Sequence, residues 1–297
     1  MSILLEKEYD KKNFDMDLKS KLEQMCRNYI ALDISGKGEY KLGGTRFGGK
    51  PDVPSNFEWP YYEGEVYKAG VKNRPLSFLA QFNCEELASY DTEHLLPDYG
   101  VLSFFYETCS QCWGFDPKDK GCARVYWFED VSALRTAEFP LDMESDSKSP
   151  LIGIRMFSKP SCPSLMDFDN FFPYGEDEDT FIAASCEFTG NEPEEMVSYS
   201  QLLGWPDVIQ DTMYEQCDLV SKGYCLGDGI AYNRIPKDTR QYSKKTAHER
   251  WILLFQLDTI ENDDFCMMFG DCGHIYFYIT QNFGQRHHKR RFSSTEL

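Results

Sequence analysis

The sequence has no uninterrupted apolar run of about 18 residues, so no segment is expected to cross a membrane as a helix. Histidine is scarce: only His94, His248, His274, His287 and His288 occur. None stands in a His-Glu-x-x-His pair, which argues against a helix-borne zinc hydrolase. There is no Gly-x-Ser-x-Gly elbow, no Gly-x-x-x-x-Gly-Lys-Ser/Thr loop and no EF-hand loop. The glycine-rich stretch 43–49 carries Thr45-Arg46-Phe47 where a dinucleotide fingerprint needs small residues, so no phosphate-bearing cofactor is expected. Positive charge is also in deficit, with 31 Lys and Arg against 49 Asp and Glu and a net charge of −18. A field of that sign repels nucleic-acid phosphates and anionic lipid. The start, Met1-Ser2-Ile3-Leu4-Leu5-Glu6, lacks a basic-then-apolar signal pattern, and a cytoplasmic protein is expected.

Cysteine is not scarce. Eleven are present, an odd number at irregular spacing, which does not read as a secreted disulfide framework. Cys109-x-x-Cys112 lacks a second Cys or His pair at zinc-ribbon spacing, so no metal is expected. Cys272 and His274 share one face of an extended strand, but no orienting acid is evident. They read as a turn cysteine and a strand histidine, and no catalytic residues are assigned.

The positive signal is a repeated order. Gly49-Lys50-Pro51-Asp52-Val53 recurs as Gly204-Trp205-Pro206-Asp207-Val208. Each copy precedes an apolar run with one embedded amide, Leu76–Asn83 around Gln81 and Trp251–Asp258 around Gln256. Each run precedes a glycine and an aromatic segment, Gly100–Tyr106 and Gly273–Ile279. The interval from amide to glycine is nearly conserved, while that from proline to amide is longer in the second copy. This predicts two diverged halves, with an insertion around residues 211–247 of the second. The fold class expected is α+β: β-rich, two diverged antiparallel-sheet halves from an internal duplication, with an N-terminal helix packed on them.

The boundaries follow. One compact domain is expected over 1–297, with a helix at 14–32 from the stripe Phe14, Leu18, Leu22, Met25, Tyr29 and Leu32. The first half covers 40–135, a connection 136–193, the second half 194–280 and a basic tail 281–297. Strands are expected at 76–84, 101–106, 123–129, 151–157, 181–188, 251–258 and 274–280, and a short helix at 194–203. Residues 237–250 are compatible with loop or helix.

Gln81 and Gln256 stand out because an amide inside an apolar strand must find hydrogen-bond partners. Each either satisfies the backbone of its own Gly-x-Pro-Asp turn or contributes to a polar seam between the halves that receives a ligand. Asp52 and Asp207 carry the same alternatives, as turn residues or ligand contacts. Trp113 and Asp271 complete the candidate ligand-binding set. Acid clusters at Asp142–Asp146, Glu176–Asp179 and Glu192–Glu195 favour a basic protein or peptide as partner.

The order Gly48-Gly49-Lys50-Pro51, Phe57-Glu58-Trp59-Pro60, Pro75–Gln81 and Leu96–Tyr106 resembles the YwqG-like family of bacterial proteins of unknown function. The match continues through Trp113-Gly114-Phe115-Asp116, Leu202–Pro206 and Gly270–Gly273. The resemblance implies a cytosolic, sheet-rich α+β fold and transfers no catalytic residues. The many cysteines and the basic tail depart from it. Gly48-Gly49-Lys50-Pro51 with Phe78-Leu79-Ala80-Gln81 is also similar to programmed cell death protein 2-like chaperones, acidic binders of a basic client. The function expected is a non-enzymatic protein- or peptide-binding module, chaperone-like or immunity-like. The alternative is a hydrolase or transferase using a pocket between the two halves.

Overall fold

The computed structural model describes residues 18–66, 70–172, 178–190, 200–262, 265–280 and 295–296. Its strands, in chain order, are β1 Arg27–Lys37, β2 Arg46–Phe47, β3 Asp52–Pro54, β4 Tyr61–Val66, β5 Gly70–Pro75, β6 Ser77–Asn83, β7 Val101–Tyr106 and β8 Ala123–Phe128. There follow β9 Leu134–Thr136, β10 Ile152–Ser161, β11 Ser200–Leu203, β12 Trp251–Asp258, β13 Ile260–Asn262, β14 Phe265–Met267, β15 His274–Thr280 and β16 Thr295–Glu296. The helices are α1 (18–25), α2 Cys84–Leu87, α3 Phe168–Phe171, α4 Glu178–Thr189, α5 Tyr214–Ser221, α6 Gly229–Arg234 and α7 Lys237–Thr246.

Ten strands form one antiparallel sheet in the order β15-β12-β11-β1-β10-β2-β6-β7-β8-β16. Strands from both halves therefore share a single sheet, joined at its centre by β1 and β10. Long-range aromatic contacts require that sheet to curl. Phe82 and Phe104 lie on β6 and β7, toward one end, and Phe255 and Phe277 on β12 and β15, at the other. Yet Phe82 and Phe255 have ring centroids 5.5 Å apart, Phe104 and Phe255 4.7 Å, and Phe104 and Phe277 5.3 Å. All four are buried. Burial of each contributes about 1.5–3 kcal/mol, and each favourable ring pair about 0.5–1.5 kcal/mol more.

Outward from the β1/β10 centre, the first three strands on each side, β2-β6-β7 and β11-β12-β15, have corresponding registers. Arg46 and Phe47 pair with Gln81 and Ala80; Gln201 and Leu202 pair with Gln256 and Phe255. The next pairing shifts register between Phe78 and Ala80 on one side and between Leu253 and Phe255 on the other. That is the same place relative to each glutamine. At the centre, Asp33 stands opposite Arg155.

Several expectations are corrected. The stripe read as a helix over 14–32 is helical only at 18–25 among the described residues, and 14–17 lie outside them. Tyr29, Ile30, Ala31 and Leu32 belong to β1, a central strand covered on both faces, and all four are buried. A short continuous apolar run suits either element, and here β1 needs it to bridge the halves. Leu18 and Leu22 do pack as a helix face, against Phe168, Phe172 and Phe181. Residues 181–188, expected as a strand, belong to α4. Residues 200–203, expected at the end of a helix, form β11, and 194–199 lie outside the described residues. The stretch 136–193 is more than a connection, because it supplies the central strand β10. The segment read as an insertion around 211–247 carries α5, α6 and α7.

Helices α5 and α7 are fastened together by one carboxylate. Asp218 accepts from Lys222 Nζ and Ser243 Oγ, both at 2.6 Å, and pairs with Arg250 at 2.7 Å. Burial pushes its pKa up, but these donors together hold it below the usual carboxylate range. Trp205, Tyr214, Ala247, Trp251, Leu253 and Tyr278 form the cluster between these helices and the sheet. No helix of the described residues is long and apolar enough to cross a membrane.

Candidate functional site

The two embedded amides are brought to their own turns, not to one another. Gln81 Oε1 accepts the Asp52 backbone N–H at 3.0 Å, and Gln256 Oε1 accepts the Asp207 backbone N–H at 2.9 Å. Both glutamines are fully buried. Four strands, β11, β1, β10 and β2, stand between β12 and β6 in the sheet order. The surroundings of the turns also correspond. Thr45 Oγ accepts the Asn83 N–H at 3.0 Å, and Ser200 Oγ accepts the Asp258 N–H at 3.0 Å. Arg46 donates to the Lys50 carbonyl at 2.6 Å, while Gln201 donates to the Trp205 carbonyl at 2.8 Å.

The carboxylates differ. Asp52 is buried, and its Oδ2 accepts from Gly43 N–H at 2.8 Å, Arg46 Nη1 at 2.9 Å and Gln81 Nε2 at 3.0 Å. Burial pushes its pKa up, but the Arg46 guanidinium, with Gly43 and Gln81, outweighs that and holds it below the usual carboxylate range. Asp207 has a side chain 51% exposed, with its carboxylate 4.0 Å from His274 Nε2. His274 Nδ1 lies 2.9 Å from Asp258. The acid beside His274 is Asp258, opposite it on the neighbouring strand β12, a proximity that sequence spacing does not reveal. Cys272 sits in the turn before β15 with φ +56° and is exposed.

Trp113 and Asp271 come from distant parts of the chain to adjoining loops. Gln111 joins them: its Nε2 donates to the Met268 carbonyl and its Oε1 accepts the Gly270 N–H, each at 3.0 Å. Trp113 is 76% exposed. The same loop is tied to the connection between α5 and α6 by Leu226 N–H donating to the Phe115 carbonyl at 2.7 Å. Among the described residues, no group of three or more His, Cys, Asp or Glu could hold a metal.

An open concavity lies elsewhere, on the first half. After Pro54 the chain turns, with the Phe57 N–H donating to the Pro54 carbonyl at 3.0 Å, and it lays Phe57 and Trp59 over Phe105 of β7 and Phe57 over Tyr126 of β8. Arg124, Tyr126 and Phe128 alternate onto that face of β8, while Val125 and Trp127 turn toward the main core. With Phe57, Trp59 and Tyr61 they wall a groove of about 470 Å³. Its rings support one another. Tyr126 and Phe128 stack with centroids 5.8 Å apart, and Phe57 meets Tyr126 edge-on at 5.3 Å. Trp59 is anchored by its Nε1 donating to the Leu76 carbonyl at 2.9 Å. Glu58 is exposed at the rim. Tyr61 donates its hydroxyl to Asp142 at 2.9 Å, which brings the acidic run Asp142–Asp146 to the groove.

None of these aromatic residues is among the ligand contacts expected from the sequence. The available signal was Pro54 and Pro60 flanking Phe57 and Trp59, followed much later by the consecutive aromatics Tyr126-Trp127-Phe128. Only the fold shows that these segments meet. Thr295–Glu296 runs antiparallel to β8, opposite Val125 and Arg124, so the strand beside the groove accepts an extended segment on its outer edge.

No curated protein matches the chain. A family model described as a domain of unknown function, DUF1963, matches residues 45–295, from the threonine before β2 to the first residue of β16. That span is most of the chain, so the protein belongs to the DUF1963 family.

Proposed function

We propose that the protein is a cytoplasmic, non-enzymatic binding module that holds an extended basic segment of a partner protein, in a chaperone-like or immunity-like role. The observation that carries this reading is the aromatic groove of Phe57, Trp59, Tyr61, Tyr126 and Phe128 beside β8, with Glu58 and Asp142 at its rim. Aromatic faces attract ammonium and guanidinium groups, and the net charge of −18 favours a basic partner over a nucleic acid or an anionic membrane. Contacts in the groove would supply the affinity, because the outer edge of β8 at Arg124 and Val125 is already paired with β16. The glutamines and Asp52 support their own turns in this reading, and ligand contact falls to the groove. We further read the matched sides of the sheet as the products of an internal duplication, supported by the shared register and by the equivalent bonds around Gln81 and Gln256.

Fluorescence titration with an extended Lys- and Arg-rich peptide tests the binding role. Saturable binding that weakens with salt is expected. Glu58→Lys and Phe128→Ala are each expected to weaken it about tenfold, or 1.4 kcal/mol. An acidic peptide of equal length serves as control. Equal affinity for both peptides, or no response to either substitution, would reject the groove as the site.

A further inference from the structure

We propose that Cys26 and Cys162 form a modification site: an oxidisable dithiol that hydrogen peroxide converts to an intramolecular disulfide across the centre of the sheet. Their sulfurs lie 3.2 Å apart although 136 residues separate them in sequence. The arrangement follows from the ladder. Arg27 and Ser161 form the terminal pair of β1 and β10, and Cys26 and Cys162 each stand one residue beyond it. Neighbouring residues on antiparallel strands have Cα atoms about 4.5–5.5 Å apart, within the range a disulfide bridges. Little backbone movement is needed.

Local structure holds both partners in place. The Cys26 N–H donates to the Leu22 carbonyl at 3.0 Å, which fixes it at the end of α1. Cys162 follows β10 and leads toward α3. Both are half-buried, so a small oxidant can reach them while bulk solvent does not surround them. Cys186, on α4, is a third thiol near Cys162. Burial pushes the Cys162 thiol pKa up, and Cys26 and then Cys186 add to that shift. Cys162 therefore rests protonated, and its oxidation is slow compared with that of an activated thiolate.

The chemistry balances in two steps. Hydrogen peroxide oxidises one thiol to a sulfenic acid and is reduced to water. The second thiol attacks that sulfur, the S–O bond breaks, and the hydroxyl leaves as water with the attacking thiol's proton. The product ties the α1–β1 junction to the β10–α3 junction. Those junctions carry the helical cap in which Leu18, Leu22, Phe168, Phe172, Phe181 and Ala184 pack together. The disulfide would clasp that cap to the sheet.

The test treats the folded full-length protein with hydrogen peroxide, blocks remaining thiols with iodoacetamide and maps non-reduced peptides. The expected product is a Cys26–Cys162 cross-link with loss of two hydrogens, absent from Cys26→Ser and Cys162→Ser and retained in Cys186→Ser. Oxidised wild type should melt about 5 °C above its reduced form, and Cys26→Ser should show no such rise. Exposed Cys266 and Cys272 report that the oxidant has acted. Oxidation there with Cys26 and Cys162 both still alkylated would overturn the proposal. So would a wild-type cross-link from either cysteine to Cys186 instead.

Discussion

The two Gly-x-Pro-Asp turns share a backbone scaffold and differ in what they do with charge. In the first, Arg46 meets Asp52 inside the protein, and Gln81 binds both the Asp52 backbone and its carboxylate. In the second, Gln201 occupies the position of Arg46, and the Asp207 carboxylate turns outward beside His274. A neutral amide can satisfy the turn carbonyl that a guanidinium satisfies in the other turn. It cannot neutralise a buried carboxylate, because desolvating an unpaired charge costs several kcal/mol. Substituting Arg with Gln therefore goes together with moving the aspartate into solvent. The scaffold is the constant part, and the electrostatics vary around it.

The largest expected break in this comparison is Arg46→Leu, which leaves Asp52 buried without its cation. Destabilisation of about 3–5 kcal/mol is expected in urea denaturation. Gln201→Leu, at the matching position, should cost about 1–3 kcal/mol, because only neutral hydrogen bonds are lost. Equal losses at the two sites would refute the distinction.

A second break concerns backbone. Gly48 and Leu203 occupy corresponding positions, and both have φ of +60°. A Cβ on Gly48 would lie 2.0 Å from the Pro150 carbonyl oxygen. Gly48→Ala is thus expected to cost about 2–4 kcal/mol although the other turn carries a leucine there. Thermal melting of the variant measures it, and an unchanged midpoint would show that the two sites tolerate side chains alike.

The third prediction contrasts Asp52 with Asp167, a buried residue ahead of α3. Asp52 has a folded pKa below its unfolded value near 3.9, so its stabilisation is present above about pH 4 and lost as pH falls through the folded pKa. Burial raises Asp167 to about 6. Its contribution is full below about pH 4 and is lost as pH rises through about 6, by on the order of 2–3 kcal/mol. Asp167→Asn should remove the decline between pH 4 and 6.5 while leaving the acid limb below pH 4. Urea denaturation across that range reports both limbs, and an unaltered decline would exclude Asp167 as its source.

The smallest effect is expected at Asp207→Asn. Its exposed carboxylate supports only a distant contact with His274, so stability should stay within about 0.5 kcal/mol of wild type. A loss approaching that of Arg46→Leu would mean that the second turn is also held by charge.

Much of the frame was legible in the chain. Strands at 101–106, 251–258 and 274–280 are where alternation and aromatic content put them. The glutamines advertised themselves because an amide in an apolar run demands a partner, and one of the two alternatives read for them was their own turn. Tyr29–Leu32 misled because a short apolar run carries no period that separates a buried strand from a helix. The groove was not legible, since Phe57 and Trp59 lie far in sequence from Tyr126 and Phe128. Neither was the Cys26–Cys162 pair, which depends on β1 lying against β10.

By itself the sequence determined the local grammar: where backbone turns, which segments extend, which side chains must be buried, and the sign of the surface field. Those properties arise from steric preference, hydrophobicity and charge, all carried by residues close together in the chain. The tertiary structure alone decided which strand lies beside which. It thereby decided that Asp52 is neutralised while Asp207 is solvated, that five aromatic residues wall one groove, and that two distant thiols touch. These outcomes depend on strand order and sheet curvature, which no local stretch of sequence encodes.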